Sequence, residues 1–129
     1  EYAKTGEFSK AEACYRNALR INPEIAPNIE QLVAGAHNLR GVAVFRKGEI
    51  DNAISEYRQA LQIKDKLAIA HYNLGVALER KMDTNAAQAE FRSYLQIEPK
   101  GLYSRNARKA IERIEQKEAD RMLPAERRM

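Results

Sequence analysis

Hydrophobic positions recur along the chain at helical intervals, and one pattern of them appears three times. In each copy an alanine is followed four positions later by an aromatic ring, then four later by a leucine, then two later by an isoleucine. These spacings follow one face of an α-helix and not the alternation of a strand. The aligned positions are Ala11, Tyr15, Leu19 and Ile21; Ala53, Tyr57, Leu61 and Ile63; and Ala87, Phe91, Leu95 and Ile97. The chain is therefore predicted to be a helical repeat protein.

The distance between copies is unequal. The second and third copies are 34 residues apart, whereas the first and second are 42 apart. The eight extra residues correspond to about two turns of helix, at roughly 3.6 residues a turn. They fall between Pro23 and His37, and Pro27 suits the start of a helix. We expect the first helix of the second copy to be longer at its N-terminal end; a longer loop between copies is the alternative.

A second amphipathic helix precedes the alanine-containing helix of the second and third copies. Gly41 and Gly75 lie inside these preceding helices, where glycine costs up to ~1 kcal/mol relative to alanine. That cost is tolerable where a neighbouring helix packs against the backbone. The predicted elements are a helical stump at residues 1–5 and helices at 9–22, 28–47, 50–63, 68–81, 84–97 and 101–121.

The residues at these positions resemble the tetratricopeptide repeat family, whose pattern is Trp-x2-Leu-Gly-x2-Tyr, then Ala-x3-Phe, then Pro. The third copy reads His71, Leu74, Gly75, Leu78, Ala87, Phe91 and Pro99 along this pattern. The second copy has Arg40 in place of the leucine and Asp65 in place of the proline.

The resemblance implies an all-α, right-handed α-solenoid of helix-turn-helix repeats. We expect the repeat array to cover residues 1–101. Within it, residues 1–33 would be a truncated first repeat plus the insertion, followed by repeats at 34–67 and 68–101. Residues 102–129 would form a capping helix and a basic tail, since the ends of such arrays need a polar outer face.

A second apolar stripe runs along the first helices of the repeats, away from the face that packs on the second helices. A helix that is apolar on two sides needs two partners. The resemblance implies that the stripe lines a concave groove, which we call the candidate groove. Its residues are Leu39, Val42, Arg46, Tyr72, Asn73, Val76, Arg80 and Tyr103. The expected partner is an extended or helical peptide of another protein; packing against neighbouring repeats is the alternative for the stripe.

Two groove residues carry the most specific expectations. The ring of Tyr72 can bury a large area at little entropic cost, which makes it the predicted anchor. The amide of Asn73 can both donate to and accept from a peptide backbone.

One family subtype grips a C-terminal carboxylate of chaperones with Lys and Asn on one first helix, Asn on the next, and Lys and Arg on a third. Here Asn38 and Val42 stand at the first two positions and Asn73 matches the middle one. Tyr103 and Ala107 replace the last Lys and Arg. Four of the five positions differ, so the resemblance does not extend to this chaperone clamp.

Composition limits the class of protein. The 129 residues fit one domain, and 44% hydrophobic content excludes a disordered chain. No stretch approaches the roughly 20 apolar residues of a membrane helix. A single cysteine, Cys14, cannot form an internal disulfide, which favours a cytoplasmic or other reducing compartment. Because the pattern is already under way at Glu1, we expect a fragment of a longer protein whose targeting signals are not readable.

Charge is concentrated at the C-terminal end. Residues 1–99 are neutral overall, and residues 100–129 hold nine basic and five acidic side chains, which account for the net charge of +4. A basic final helix could meet an acidic partner, although a solvated helix face with mixed charges is the favoured interpretation. Because the charges are interleaved and no RNA-binding motif is present, we expect no nucleic acid.

Catalysis is not expected. The sequence has no glycine-rich phosphate loop and no nucleophile elbow. His37 and His71 occupy equivalent repeat positions without a third ligand, so no metal, cofactor or small-molecule substrate is predicted. The predicted function is a non-catalytic adaptor or assembly scaffold. The alternatives are a regulatory or substrate-recruiting segment of a larger enzyme, and a scaffold that assembles with further copies of itself.

Overall fold

The computed structural model describes residues 10, 12–14, 16, 17, 20, 21, 24 and 26–122. Five helices follow one another: α1 (Ala26–Arg46), α2 (Ile50–Ile63), α3 (Ala68–Arg80), α4 (Thr84–Ile97) and α5 (Ser104–Met122). The described residues between 10 and 21 are helical, and this described part of the chain contains no strand. The stump predicted at residues 1–5 and the end of the basic tail, residues 123–129, lie outside the described residues.

The helices form two layers of antiparallel pairs. The α1–α2 and α3–α4 connections are three residues each, which turns each helix back along its predecessor. Consecutive helices pack on one another, and α1 also contacts α3. Thus α1 and α3 share one layer and α2 and α4 share the other, with α5 packed on α4. This is the predicted α-solenoid with a C-terminal capping helix.

The core repeats at the interval found in the sequence. Ala53 and Ala87 are fully buried, and Tyr57 and Phe91, four residues further along each helix, are 2% and 1% exposed. The aromatic rings pack where the two helices of a pair come closest. Equivalent residues therefore have equivalent burial in the two complete pairs.

Glycines in the first helix of each pair make room for these rings. A β-carbon on Gly41 would lie 2.5 Å from Cε1 of Tyr57, and one on Gly75 would lie 2.9 Å from Cε1 of Phe91. Real β-carbons essentially never approach other carbons so closely. The predicted close approach of a neighbouring helix at these two glycines is confirmed.

The eight extra residues are helical. By the 34-residue repeat, the start of α3 at Ala68 corresponds to residue 34, yet α1 begins at Ala26. Within these two extra turns Ile29 and Val33 are buried, whereas Leu32 is 57% exposed. The predicted longer helix is confirmed and the loop alternative is wrong, because the added turns carry their own apolar inner face.

The capping helix α5 has one buried face. Ala107, Ala110 and Ile114 are buried and Ile111 is half-buried. Charged side chains occupy most of its exposed surface. Within the described ranges, no helix is both long enough and apolar enough to cross a bilayer.

Candidate functional site

The fold brings most of the candidate groove into one layer. Its residues on α1 are Leu39, Val42 and Arg46, and those on α3 are Tyr72, Asn73, Val76 and Arg80. Every one of them is exposed or half-buried. Leu39 is the most open of the apolar ones, with 69% of its surface exposed. Tyr103 lies in the α4–α5 connection, one residue before α5, and not inside the final helix as its predicted bounds implied.

Two asparagines join α1 and α3 beneath this surface. Asn73 Nδ2 donates a hydrogen bond to Oδ1 of Asn38 over 3.0 Å. Asn38 is only 7% exposed, whereas Asn73 is half-buried. A primary amide has two donor hydrogens and an acceptor oxygen, so this bond leaves Asn73 one donor and its acceptor for another group. The contact fixes the orientation of the Asn73 amide.

Tyr72 belongs to a cluster of aromatic rings. It stacks on Tyr103 with centroids 4.7 Å apart and meets Phe91 and Tyr94 edge to face at 5.7 and 5.6 Å. The Tyr94 hydroxyl in turn accepts a hydrogen bond from the Tyr103 backbone N–H at 3.0 Å. Tyr72 therefore ties α3 to α4 and to the α4–α5 connection while part of its ring stays exposed.

Arginines lie at the C-terminal end of the groove. The Arg80 guanidinium sits over the Phe45 ring, 5.3 Å from its centroid. Arg113 of α5 donates to both carboxylate oxygens of Glu79, over 2.9 and 2.7 Å. This bidentate bond raises the pKa of Arg113 above its ordinary value. The groove floor is thus apolar and its end is cationic.

The two histidines link the helices within each pair. His71 Nδ1 lies 2.6 Å from Glu90 Oε1, and Nε2 lies 2.7 Å from the Asp65 carbonyl oxygen. The equivalent His37 Nδ1 lies 2.8 Å from Glu56 Oε1. Hydrogen bonding to Glu90 raises the pKa of His71, more than burial lowers it. These contacts hold the two helices of each pair together.

Clefts on the surface of the described residues include two of several hundred Å³. One, of about 690 Å³, lies between α2 and the α3–α4 connection and contains none of the groove residues. The other, of about 440 Å³, lies between the start of α3 and the α4–α5 connection, with Ile69, Leu102 and Tyr103 among its lining. The second cleft meets the candidate groove at Tyr103. Within the part of the chain that the structure describes, no three His, Cys, Asp or Glu side chains could hold a metal ion.

Comparisons with known proteins agree with this architecture. A family profile for a TPR repeat matches residues 41–81, and a tetratricopeptide repeat profile matches residues 1–25 and 68–100. Together they match more than half of the chain. The comparison with curated proteins found no match.

Two solved structures are similar to this chain. The first TPR of Spaghetti (RPAP3), bound to the HSP90 peptide SRMEEVD, is 22% identical, with a TM-score of 0.59 over 92% of this chain and 87% of that one. The crystal structure of MamA is 18% identical, with a TM-score of 0.53 over 92% of this chain and 93% of that one. At these identities the likeness shows a shared fold.

Proposed function

Because the chain belongs to the tetratricopeptide repeat family, whose repeats form protein-interaction modules, we propose that it is a non-catalytic adaptor or assembly scaffold. In this proposal a peptide or helix of a partner protein occupies the candidate groove. We further propose that it acts in a cytoplasmic or other reducing compartment, because its single cysteine, Cys14, cannot form an internal disulfide.

The observation that carries the proposal is the apolar surface on the layer formed by α1 and α3. Leu39 is 69% exposed, and Val42 and Val76 are half-buried around the hydrogen-bonded asparagines. Removing apolar surface from water on binding stabilises a complex by about 25 cal/mol for each Å². A peptide that places apolar side chains on these residues and a backbone amide near Asn73 would gain both contacts. The similar RPAP3 repeat, which is bound to a peptide, supports this mode.

The partner is proposed to differ from that HSP90 peptide. The five positions of the chaperone clamp are occupied here by Asn38, Val42, Asn73, Tyr103 and Ala107. No lysine or arginine stands at any of them to pair with a terminal carboxylate. We expect the peptide SRMEEVD to bind this chain no better than a scrambled peptide of the same composition.

A selection from random peptides displayed on phage tests the proposal. Enriched peptides, synthesised with a fluorescent label, would be titrated with the purified chain and the Kd measured by anisotropy. Leu39→Ala and Asn73→Ala should each raise Kd about fivefold or more, corresponding to roughly 1 kcal/mol. Met122→Ala is the matched control, because Met122 is 84% exposed and lies at the end of α5, outside the groove.

Each outcome separates the groove from other surfaces. If both groove variants bind the peptides normally, the site lies elsewhere and the proposal is wrong. If no peptide binds but light scattering shows association that grows with concentration, self-assembly replaces peptide binding as the function.

A further inference from the structure

Arg46 and Arg80 are equivalent residues in successive repeats, 34 positions apart. Each is an exposed side chain in the last turn of its helix, α1 or α3. Each also stands one helical turn beyond a groove valine, Val42 or Val76. The candidate groove therefore has the same order of an apolar residue followed by a cation on both helices.

Contacts between helices lie beside these arginines and involve a third arginine. The Arg80 guanidinium reaches from α3 to the ring of Phe45, the residue just before Arg46 on α1. On the other side, Arg113 of α5 reaches Glu79, the residue just before Arg80. Helices α1, α3 and α5 thus each carry an arginine at or next to a contact between these helices.

Among the described residues, only one of these three arginines has a carboxylate partner. Glu79 offsets the charge of Arg113, whereas Arg46 and Arg80 make no ion pair within that part of the chain. Of the acids close to Arg46 in sequence, Asp51 pairs with Lys81, and Glu49 accepts a hydrogen bond from Asn52. Arg46 and Arg80 therefore each carry a positive charge with no ion-pair partner among the described residues, one turn beyond Val42 and Val76.

We propose, resting on the proposed function, that the candidate groove selects acidic partner segments. Their apolar side chains would cover Val42 and Val76, and their carboxylates would pair with Arg46 and Arg80. Packed helices are roughly 8–10 Å apart, and an extended chain advances roughly 3.3 Å per residue. Because alternate side chains of an extended chain face the same side, such a ligand would carry two acidic residues two or four positions apart. Guanidinium groups suit this task because they pair with carboxylates in a bidentate fork.

Charge reversal on the protein and charge removal on the peptide provide the test. The probes are the phage-selected peptides and copies in which every Asp and Glu is replaced by Asn and Gln. Arg46→Glu with Arg80→Glu should raise Kd roughly tenfold, mainly through slower association, and more at low salt. The control is Arg58→Glu, which makes the same charge change as either single reversal on an exposed residue of α2 in the other cleft; it should change Kd less than twofold.

A milder pair of variants keeps the test informative if the charge-reversed protein does not fold. Arg46→Gln with Arg80→Gln removes the charge and keeps a flexible polar side chain of similar helix propensity, and should raise Kd about three- to fivefold. On the wild-type chain, the uncharged peptides should bind about three- to fivefold more weakly than the original peptides. Their Kd should not rise further on the arginine variants.

The experiment distinguishes a failure of the acidic specificity from a failure of the proposed function. If enriched peptides need Leu39 and Asn73 but bind the arginine variants normally, the acidic specificity is wrong and the groove function stands. In that case the two arginines only stabilise the C-terminal ends of their helices, through the helix dipole. The arginine variants should then have a lower free energy of unfolding in urea. If no peptide depends on Leu39 or Asn73, both proposals are wrong.

Discussion

Met82 occupies the place in the α3–α4 connection that Gly48 occupies in the α1–α2 connection, and both have positive φ, 71° and 87°. The next residue in each connection, Asp83 or Glu49, donates its backbone N–H to the carbonyl five positions back, over 2.9 and 3.0 Å. This bond closes the end of the preceding helix and requires the left-handed residue before it. Glycine adopts that conformation freely, whereas a residue with a β-carbon is crowded there, at a cost of about 1–2 kcal/mol.

The strain at Met82 predicts that Met82→Gly stabilises the protein. Part of the gain is lost because glycine makes the unfolded chain more flexible, so we expect about 0.5–1 kcal/mol. Gly48→Ala, the reverse change in the equivalent turn, should destabilise by about 1 kcal/mol. Midpoints of urea unfolding would measure both. A Met82→Gly midpoint at or below the wild-type value would show that this turn is not strained.

The helix-interior glycines should respond to alanine in opposite directions. Gly75→Ala places a β-carbon 2.9 Å from Phe91, so overpacking should cost about 1–3 kcal/mol despite the better helix propensity. Gly35 lies in α1, and no described atom lies within 4 Å of the position that a β-carbon would take there. Gly35→Ala should therefore gain up to about 1 kcal/mol. Thermal unfolding of the two variants gives the comparison, and equal shifts would contradict the close packing at Gly75.

Stability should depend on pH through His71. Its Nε2 faces a carbonyl oxygen and its Nδ1 faces a carboxylate, so the imidazolium form satisfies both bonds. The pKa of His71 is thus higher folded than unfolded, where it is about 6.5. The stabilisation is complete below the unfolded pKa and is lost as pH rises through the folded pKa.

The measurement is the free energy of unfolding in urea between about pH 5.5 and about pH 8.5, a range that spans the ordinary pKa of histidine and extends well above it. The wild-type chain should lose stability toward the alkaline end, relative to His71→Gln, which cannot titrate. Because both chains keep His37, the difference between them isolates His71. Parallel pH profiles would show that the Glu90 contact does not bind the proton more tightly in the folded state.

Tyr72 should affect stability through its ring more than through its hydroxyl. Tyr72→Ala removes a ring that contacts Phe91, Tyr94 and Tyr103, and we expect a loss of about 2–4 kcal/mol. Tyr72→Phe keeps all three ring contacts and should cost less than about 1 kcal/mol. Denaturant midpoints distinguish the two, and Tyr72→Phe is then the variant suited to peptide titrations. An alanine variant as stable as wild type would mean that the ring serves the groove alone.

The sequence alone determined the helices and their register. The predicted bounds of α2 and α4 agree with the structure, because the repeated alanine, ring and leucine define both the length and the buried face of each helix. The close approach of a neighbouring helix at Gly41 and Gly75 and the two extra turns of α1 were also predicted. The start of α5 was placed three residues too early, at 101. The Ser104 hydroxyl donates to the Glu98 carbonyl at 2.6 Å, which keeps residues 98–103 in a closed turn.

Only the tertiary structure decided which groove residues meet. Asn73 reaches Asn38, Arg80 reaches Phe45, and Arg113 reaches Glu79. Each pair joins two helices and spans 34 or 35 residues of sequence. Helical periodicity in the sequence indicates which face of one helix a side chain occupies. Whether two such faces touch depends on how far apart and at what angle the helices pack, and that is fixed by the summed contacts of the whole core.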